Sequence, residues 1–178
     1  MSPAERKRKA LLATSQALLD LLNTKPEDTI SITELCQQAG VSRAYYYKHF
    51  TTFDDVLSQA ILMRNVDYLR SLPPVSSSQT SVMMTRYFQM IIRESKLNLI
   101  LFKVGKQDVL LNSFGTVQEY LYSHGYIELA GRASINRSYW VDFLAGAVVN
   151  MSKQWLQTGV KETPEQMGRL VADFLSAR

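Results

Sequence analysis

The sequence predicts an all-α protein: an N-terminal three-helix unit containing a helix-turn-helix, then a larger helical body, about nine helices in total. Three observations carry this. Apolar residues recur at i, i+4 and i+7 through most of the chain, the period of an amphipathic helix. Ser/Thr caps and Gly/Pro stops punctuate those stretches at ordinary helix lengths. No alternating run of useful strand length appears, and no repeat at a fixed period.

In the first helix Leu11, Leu18 and Leu22 form a stripe with Leu12 and Leu19 beside it, and Asn23-Thr24-Lys25-Pro26 ends it. Ser31 and Glu34 have capping-box spacing, with Ser31 accepting from the third helical N–H and Glu34 reaching back. The helix they open is short because Gly40 stands at its left-handed stop. Ser42 caps another short helix, Arg43 to Phe50. Thr52, with Asp54 and Asp55 at the positive end of the helix dipole, starts a long one from Phe53 to about Leu72, where Pro73-Pro74 terminates it. Pro73 to Ser81 is the Pro/Ser-rich linker. Beyond it, helical stretches are predicted at 82–93, 97–104, 109–123, 138–157 and 164–176, with Gly125 and Gly131 bracketing a loop. Gly159 is a stop, and Thr163-Pro164-Glu165-Gln166 combines N-cap, Pro at N1 and Gln at N3.

Composition narrows the function classes. With 178 residues, 46% of them apolar, the chain can bury a real core in one or two small domains. One Cys and two His exclude a disulfide framework and any metal site of three or four Cys/His ligands. A lone thiol fits a reducing compartment, so the expected location is the cytoplasm. The basic start is not a signal peptide, since Thr14, Ser15, Gln16 and Asp20 interrupt the apolar run behind it. No stretch of about 18 apolar residues exists, and no membrane partner is expected. There is no HExxH, Gly-rich phosphate loop or Ser/His/Asp set; the chain is read as a non-enzyme with no metal or cofactor. The net charge of +4 is too small to decide on a polyanionic partner. Its distribution says more: residues 1–50 hold seven Lys/Arg and five Asp/Glu, residues 51–178 thirteen and eleven, so equal net charge sits on a much shorter piece.

The sharpest signal is the pair of short capped helices joined by Ala39-Gly40-Val41-Ser42. A helix-turn-helix needs a Gly for the turn, an apolar residue after it to pin the pair, and a second helix presenting polar groups outward. Arg43 can form two bonds to guanine O6 and N7 in a DNA major groove. Tyr hydroxyls and Lys48 suit phosphate oxygens. Tyr45, Tyr46 and Tyr47 point about 100° apart, so they cannot all be core. At least one is read as facing DNA, the alternative being aromatic packing.

These residues resemble the DNA-reading segment of the tetracycline-repressor (TetR) family of bacterial transcription regulators. The family pattern has an apolar-Thr-apolar lead-in, Ala-Gly-Val-Ser at the turn and Leu-Tyr-x-His-Phe in the second helix. The stretch Ile30 to Phe50 carries Ala39-Gly40-Val41-Ser42 and Tyr46-Tyr47-Lys48-His49-Phe50, and the likeness extends over about 9–61. Near the end, Phe143-Leu-Ala-Gly-Ala-Val-Val149, Trp155-Leu-Gln-Thr-Gly159 and Thr163-Pro-Glu-Gln166 resemble one subgroup's regulatory domain. The resemblance implies a DNA-binding domain at 1–61, its helix-turn-helix at about 32–51, and a helical effector-binding and dimerisation domain at 62–178. By position, Ser31 falls on a phosphate-contacting lead-in and Thr33 on an outward face. Arg43 and Ala44 fall on base-reading positions and Tyr47 on the family's Tyr. Ser42, Tyr45, Lys48 and His49 fall where backbone contacts are common. Three positions depart from the pattern. Cys36 replaces a small buried Ala. Phe53 stands where the family has Lys, so one phosphate contact is missing or moved to Lys48. Tyr46 replaces Leu and is expected to point inward, with a hydroxyl to satisfy.

Other readings stay open at this level. Arg6–Lys9 is either a solvated face or an arm before the first helix that reaches a phosphate or minor groove. His49 is read as structural rather than a proton switch, and Cys36 as buried rather than redox-active. DNA half-sites one turn apart call for a symmetric homodimer. Trp140, Leu144, Val148 and Met151 on the penultimate helix, with Met167, Leu170, Val171 and Phe174 on the last, form the stripes read as its interface, part of each being intrachain core. Met84, Tyr87, Phe88, Ile91, Phe102 and Phe114 give an interior able to hold a small-molecule effector, or simply core. The expected function is a homodimeric, ligand-responsive regulator, a repressor first, reading a palindromic double-stranded DNA operator. The alternative is a protein-interaction co-regulator on the same fold, working chiefly through a partner protein.

Overall fold

The computed structural model describes residues 2–75, 79–128 and 136–176. Among these the chain forms nine α-helices and one 3-10 turn, with no strand. They are α1 Pro3–Thr24, the turn Glu27–Thr29, α2 Ile32–Ala39, α3 Arg43–His49, α4 Phe53–Ser71, α5 Thr80–Arg93, α6 Ser95–Lys103, α7 Gln107–Ser123, α8 Arg137–Gln157 and α9 Pro164–Ser176. Gly131 and residues 76–78, parts of the expected loop and linker, lie outside the described residues.

Two N-terminal signals differ from expectation. Ser2 Oγ accepts from Glu5 N at 3.2 Å while Ser2 N donates to Glu5 Oε2 at 2.6 Å, with Pro3 as the first helical residue. This complete capping box starts α1 early. The basic run Arg6–Lys9 therefore belongs to the helix itself and is not an arm ahead of it. At α2 only half of the expected box forms. Ser31 Oγ accepts from Glu34 N at 3.1 Å, but the Glu34 carboxylate lies 2.5 Å from Lys25 Nζ. An ammonium is a stronger partner for a carboxylate than a neutral N–H. Glu34 thus ties α2 to the end of α1.

The helices α1 to α3 and the first half of α4 close around Leu18, Leu35, Tyr46, Val56 and Leu57, all buried. Each such side chain contributes about 1.5–3 kcal/mol of burial. The α4 helix then runs unbroken into the body, where Phe88, Leu101, Leu121 and Val148 are buried from α5, α6, α7 and α8. One contiguous cluster links Leu11 of the head to Val171 of α9. Three lysines fasten the head onto the body. Lys96 Nζ pairs with Asp20 at 2.9 Å, Lys103 Nζ donates to Asn23 Oδ1 at 2.9 Å, and Lys106 Nζ meets both Glu27 and Asp54 at 2.6 Å. On the far side α9 lies along α5. No described helix is long and apolar enough to cross a membrane.

Candidate DNA-binding surface

The surface begins at the turn. Gly40 has φ +67° and ψ +31°, and nothing lies within 4 Å of where its Cβ would be, so the position demands a left-handed backbone rather than space. Val41 N donates to Cys36 O at 3.0 Å and Gly40 N to Gln37 O at 3.3 Å, the paired bonds of a Schellman ending. The chain reverses sharply and half-buried Val41 packs on the core. Ser42 Oγ then caps α3, accepting from Tyr45 N at 3.0 Å. Ser31 and Ser42 are both exposed, and each keeps a hydroxyl proton to donate to an anionic oxygen.

Within α3 the 100° step sorts the side chains. Tyr46 and Phe50 point inward with ring centroids 5.5 Å apart, and Phe53 meets Tyr46 edge-on at 6.4 Å. Phe53 therefore extends the head's core where a lysine would have faced outward. Arg43, Ala44, Tyr47 and Lys48 are exposed, as is Thr33 on α2. Tyr47 is 59% exposed, and the Arg43 guanidinium lies 5.9 Å from its ring centroid, a contact that steadies both groups. Tyr45 and His49 are half-buried, their rings 4.6 Å apart. The three tyrosines thus occupy three environments: outward, half-buried and core.

Charge follows the same layout. Burial, then Lys7 and Lys48, hold the His49 imidazole below its ordinary range, which leaves it neutral at pH 7. Lys7, from the basic run of α1, thereby adds its field to that of Lys48 at the end of α3. Arg8 is committed elsewhere, 2.8 Å from Asp67 of α4, and this bond holds the Asp67 carboxyl below its usual range. Burial pushes the Cys36 thiol up, with Arg43 opposing, and a protonated buried thiol is unreactive.

In the body, Met84, Tyr87, Ile91 and Phe114 line a narrow cavity between α4, α5, α6 and α7. Phe88 and Phe102 do not reach it. Phe88 packs edge-on against Trp155 at 5.3 Å, and Phe102 lies under Lys153 Nζ at 5.8 Å from its centroid. Sequence reasoning missed the polar lining: Arg64, Asn65 and Gln118. A signal was there, since Asn65 shares a helical face with Ile61 and Tyr68, and Gln118 with Phe114 and Leu121.

The α8 and α9 stripes divide as well. Leu144, Val148, Met167 and Val171 are buried within the chain, so they have no free surface to offer a partner; their inward face packs on α5 and α7. Trp140 and Met151 are half-buried. Leu170 and Phe174 are exposed on α9, and on α8 the structure exposes Tyr139 (76%), Phe143 (63%) and Ala147, spaced four residues apart.

A capped helix-turn-helix with a basic and aromatic outer face, carried on a helical body, defines a DNA-binding transcriptional regulator. A TetR-type family model described as "Transcriptional regulator C-terminal region" matches residues 79–177, over half of the chain, and the protein belongs to the TetR family of transcriptional regulators. Curated protein sequences give no match. Among solved structures, Lin0861 from Listeria innocua is similar at 16% identity and TM-score 0.77, covering 99% of this chain and 96% of that one. The dihydroxyacetone kinase operon activator DhaS is similar at 12% identity and TM-score 0.59, over 93% of both chains. FadR from Bacillus subtilis, in complex with stearoyl-CoA, is similar at 14% identity and TM-score 0.55, over 93% of this chain and 97% of that one. At these identities the likeness is one of fold.

Proposed function

We propose that the protein is a homodimeric, ligand-responsive repressor that reads a palindromic operator in the cytoplasm, with residues 1–61 as the reading domain and 62–178 as the effector and dimer domain. The observation that carries this is the sorting of α3, which sends Tyr46 and Phe50 into the core and leaves Arg43, Ala44, Tyr47 and Lys48 outside. On a duplex, Arg43 and Ala44 read base edges, while Ser31, Thr33, Ser42, Tyr45, Tyr47, Lys48 and His49 lie toward the sugar-phosphate backbone. Two such heads about 34 Å apart match successive major grooves. The exposed apolar face of Tyr139, Phe143, Ala147, Leu170 and Phe174 supplies the dimer contact. A ligand in the body would act through α4, whose first half closes the head and whose second half carries the cavity residue Arg64, and so change the separation of the heads.

The test is selection of bound fragments from random DNA, followed by salt-dependent binding to the selected site. Arg43→Ala is expected to lose about 1–3 kcal/mol and to relax preference at one base position. Unchanged affinity and unchanged preference would overturn the reader assignment. A second reading, a co-regulator acting through a partner protein, draws on Phe53, whose ring packs on Tyr46 instead of offering a cation to phosphate. Failure to select any sequence would favour it. The solved relative DhaS is an operon activator, so the same experiment, joined to a reporter, decides the sign of control.

A further inference from the structure

The cavity between α4, α5, α6 and α7 has an unusual polar balance. Its walls are apolar over much of their area, with Met84, Tyr87, Ile91 and Phe114 among them. Most of its polar side chains are satisfied by one another. Arg64 Nε donates to Glu94 Oε2 at 2.6 Å, Asn65 Nδ2 to Ser113 Oγ at 2.5 Å, and Asn98 Nδ2 to the Glu94 carbonyl at 2.9 Å. Among the described residues, two buried polar atoms in this lining find no partner: Arg64 Nη1, a donor, and Gln118 Oε1, an acceptor, on a side chain only 1% exposed. Buried polar groups are ordinarily hydrogen-bonded, and each exception calls for an explanation.

Glu94 is shared between Arg64 and, at the edge of contact, the exposed Arg93, whose Nε lies 4.0 Å away, so it does not neutralise Arg64 alone. An apolar enclosure with a cationic donor and a neutral acceptor left over is the imprint of an amphiphile with the opposite pattern. We propose that the cavity is the effector site and takes a small amphipathic carboxylate that also carries a hydroxyl: its carboxylate accepts from Arg64 Nη1, its hydroxyl donates to Gln118 Oε1, and its apolar body displaces the flexible side chains of Met84 and Met90. This deepens the ligand-responsive reading given above and rests on it. The cavity as it stands is narrow, so the methionines, with their unbranched and adaptable side chains, are the part of the wall expected to move.

The test uses the full chain and calorimetric titration with m-hydroxybenzoate and β-hydroxyoctanoate, an aromatic and an aliphatic member of the class. Benzoate and octanoate serve as partners lacking the hydroxyl, and the methyl esters as partners lacking the charge. At least one hydroxy acid is expected to bind saturably, one per chain, and about tenfold more tightly than its ester, the size of a charge-assisted hydrogen bond. Arg64→Met should abolish the preference for acid over ester. Gln118→Leu should abolish the preference for the hydroxylated acid, while its melting temperature stays level or rises because an unsatisfied buried acceptor has been removed. That second variant keeps the test decisive if Arg64→Met fails to fold. Absence of saturable binding by either hydroxy acid, or acid and hydroxyl preferences that survive both substitutions, would overturn the proposal; ordered water would then account for the two atoms. Operator binding is measured separately on the same samples. Intact DNA binding without ligand binding defeats this inference alone, and ligand binding that leaves operator affinity unmoved defeats the ligand-responsive reading instead.

Discussion

Neighbouring residues of α3 take different roles because successive side chains on a helix diverge by about 100°. His49 shows how finely this matters. Its ring lies tilted against those of Tyr45 and Phe50, and burial together with Lys7 and Lys48 favours its neutral form. Its folded pKa lies below the unfolded value near 6.5, so the unfolded chain binds more protons. This contribution to stability is present above that value and is lost as pH falls through the depressed one. DNA phosphates beside Lys7 and Lys48 would reverse the local field and draw a proton onto the ring. Operator affinity is therefore expected to rise as pH falls from about 7.5 to 6, with His49→Gln flattening the profile. Anisotropy titrations across that range check it; a flat profile in the native protein would separate His49 from the phosphates. The split of the tyrosine triplet was legible in the sequence. The influence of Lys7 on His49 was not, because it depends on how α1 is placed relative to α3.

At the level of elements, close helix contacts and a few ion pairs hold the arrangement. Gly168 of α9 faces Ser81 and Thr85 of α5; an added Cβ would stand 2.6 Å from the Ser81 carbonyl and 2.7 Å from Thr85 N, and close to Thr85 Oγ1. Backbone cannot give way as a flexible side chain can. Gly168→Ala is expected to cost about 1–3 kcal/mol through forced separation of the two helices, read as a lowered denaturation midpoint. A midpoint equal to the native one would mean that α9 does not lie on α5 so closely. Lys106 is the other element-level device. Burial pushes its ammonium pKa down, but bonds to Asp54 and Glu27 more than offset this and raise it overall. Lys106→Met leaves two carboxylates of the head facing each other. Since both are substantially exposed, the loss should be only about 1 kcal/mol, shrinking in high salt. Urea unfolding at two salt concentrations measures it.

Over the whole molecule, the most exposed large aromatic and apolar side chains among the described residues lie on α8 and α9. Tyr139, Phe143 and Phe174 are each more than half exposed, an arrangement a single chain does not need for its own core. Phe143→Asp should leave helical content and melting of the isolated chain unchanged, while light scattering shows a monomer and operator affinity falls by at least about tenfold. A native protein that is monomeric at micromolar concentration would remove the dimer from the proposal. Sequence reading drew its stripes from both sides of this helix pair: Leu144, Val148, Met167 and Val171 lie inward, whereas Leu170 and Phe174 lie outward. Leu144 and Val148 repeat as regularly as Tyr139 and Phe143, and periodicity alone does not say which stripe meets the chain's own α5 and α7.

What the sequence by itself determined was local: the helical class, the caps at Ser31, Ser42 and Thr52, the left-handed stop at Gly40, and an α3 with one buried and one polar side. Such features depend on groups within a turn or two of one another, so spacing suffices to read them. Only the tertiary structure decided partners. It gave Glu34 to Lys25 rather than to its own backbone, set Lys106 between Glu27 and Asp54, kept Phe88 and Phe102 out of the cavity, and brought Arg64 and Gln118 into it. Those outcomes turn on which helices lie side by side, and that is settled by burying all the apolar stripes at once, a global condition no single stretch of sequence contains.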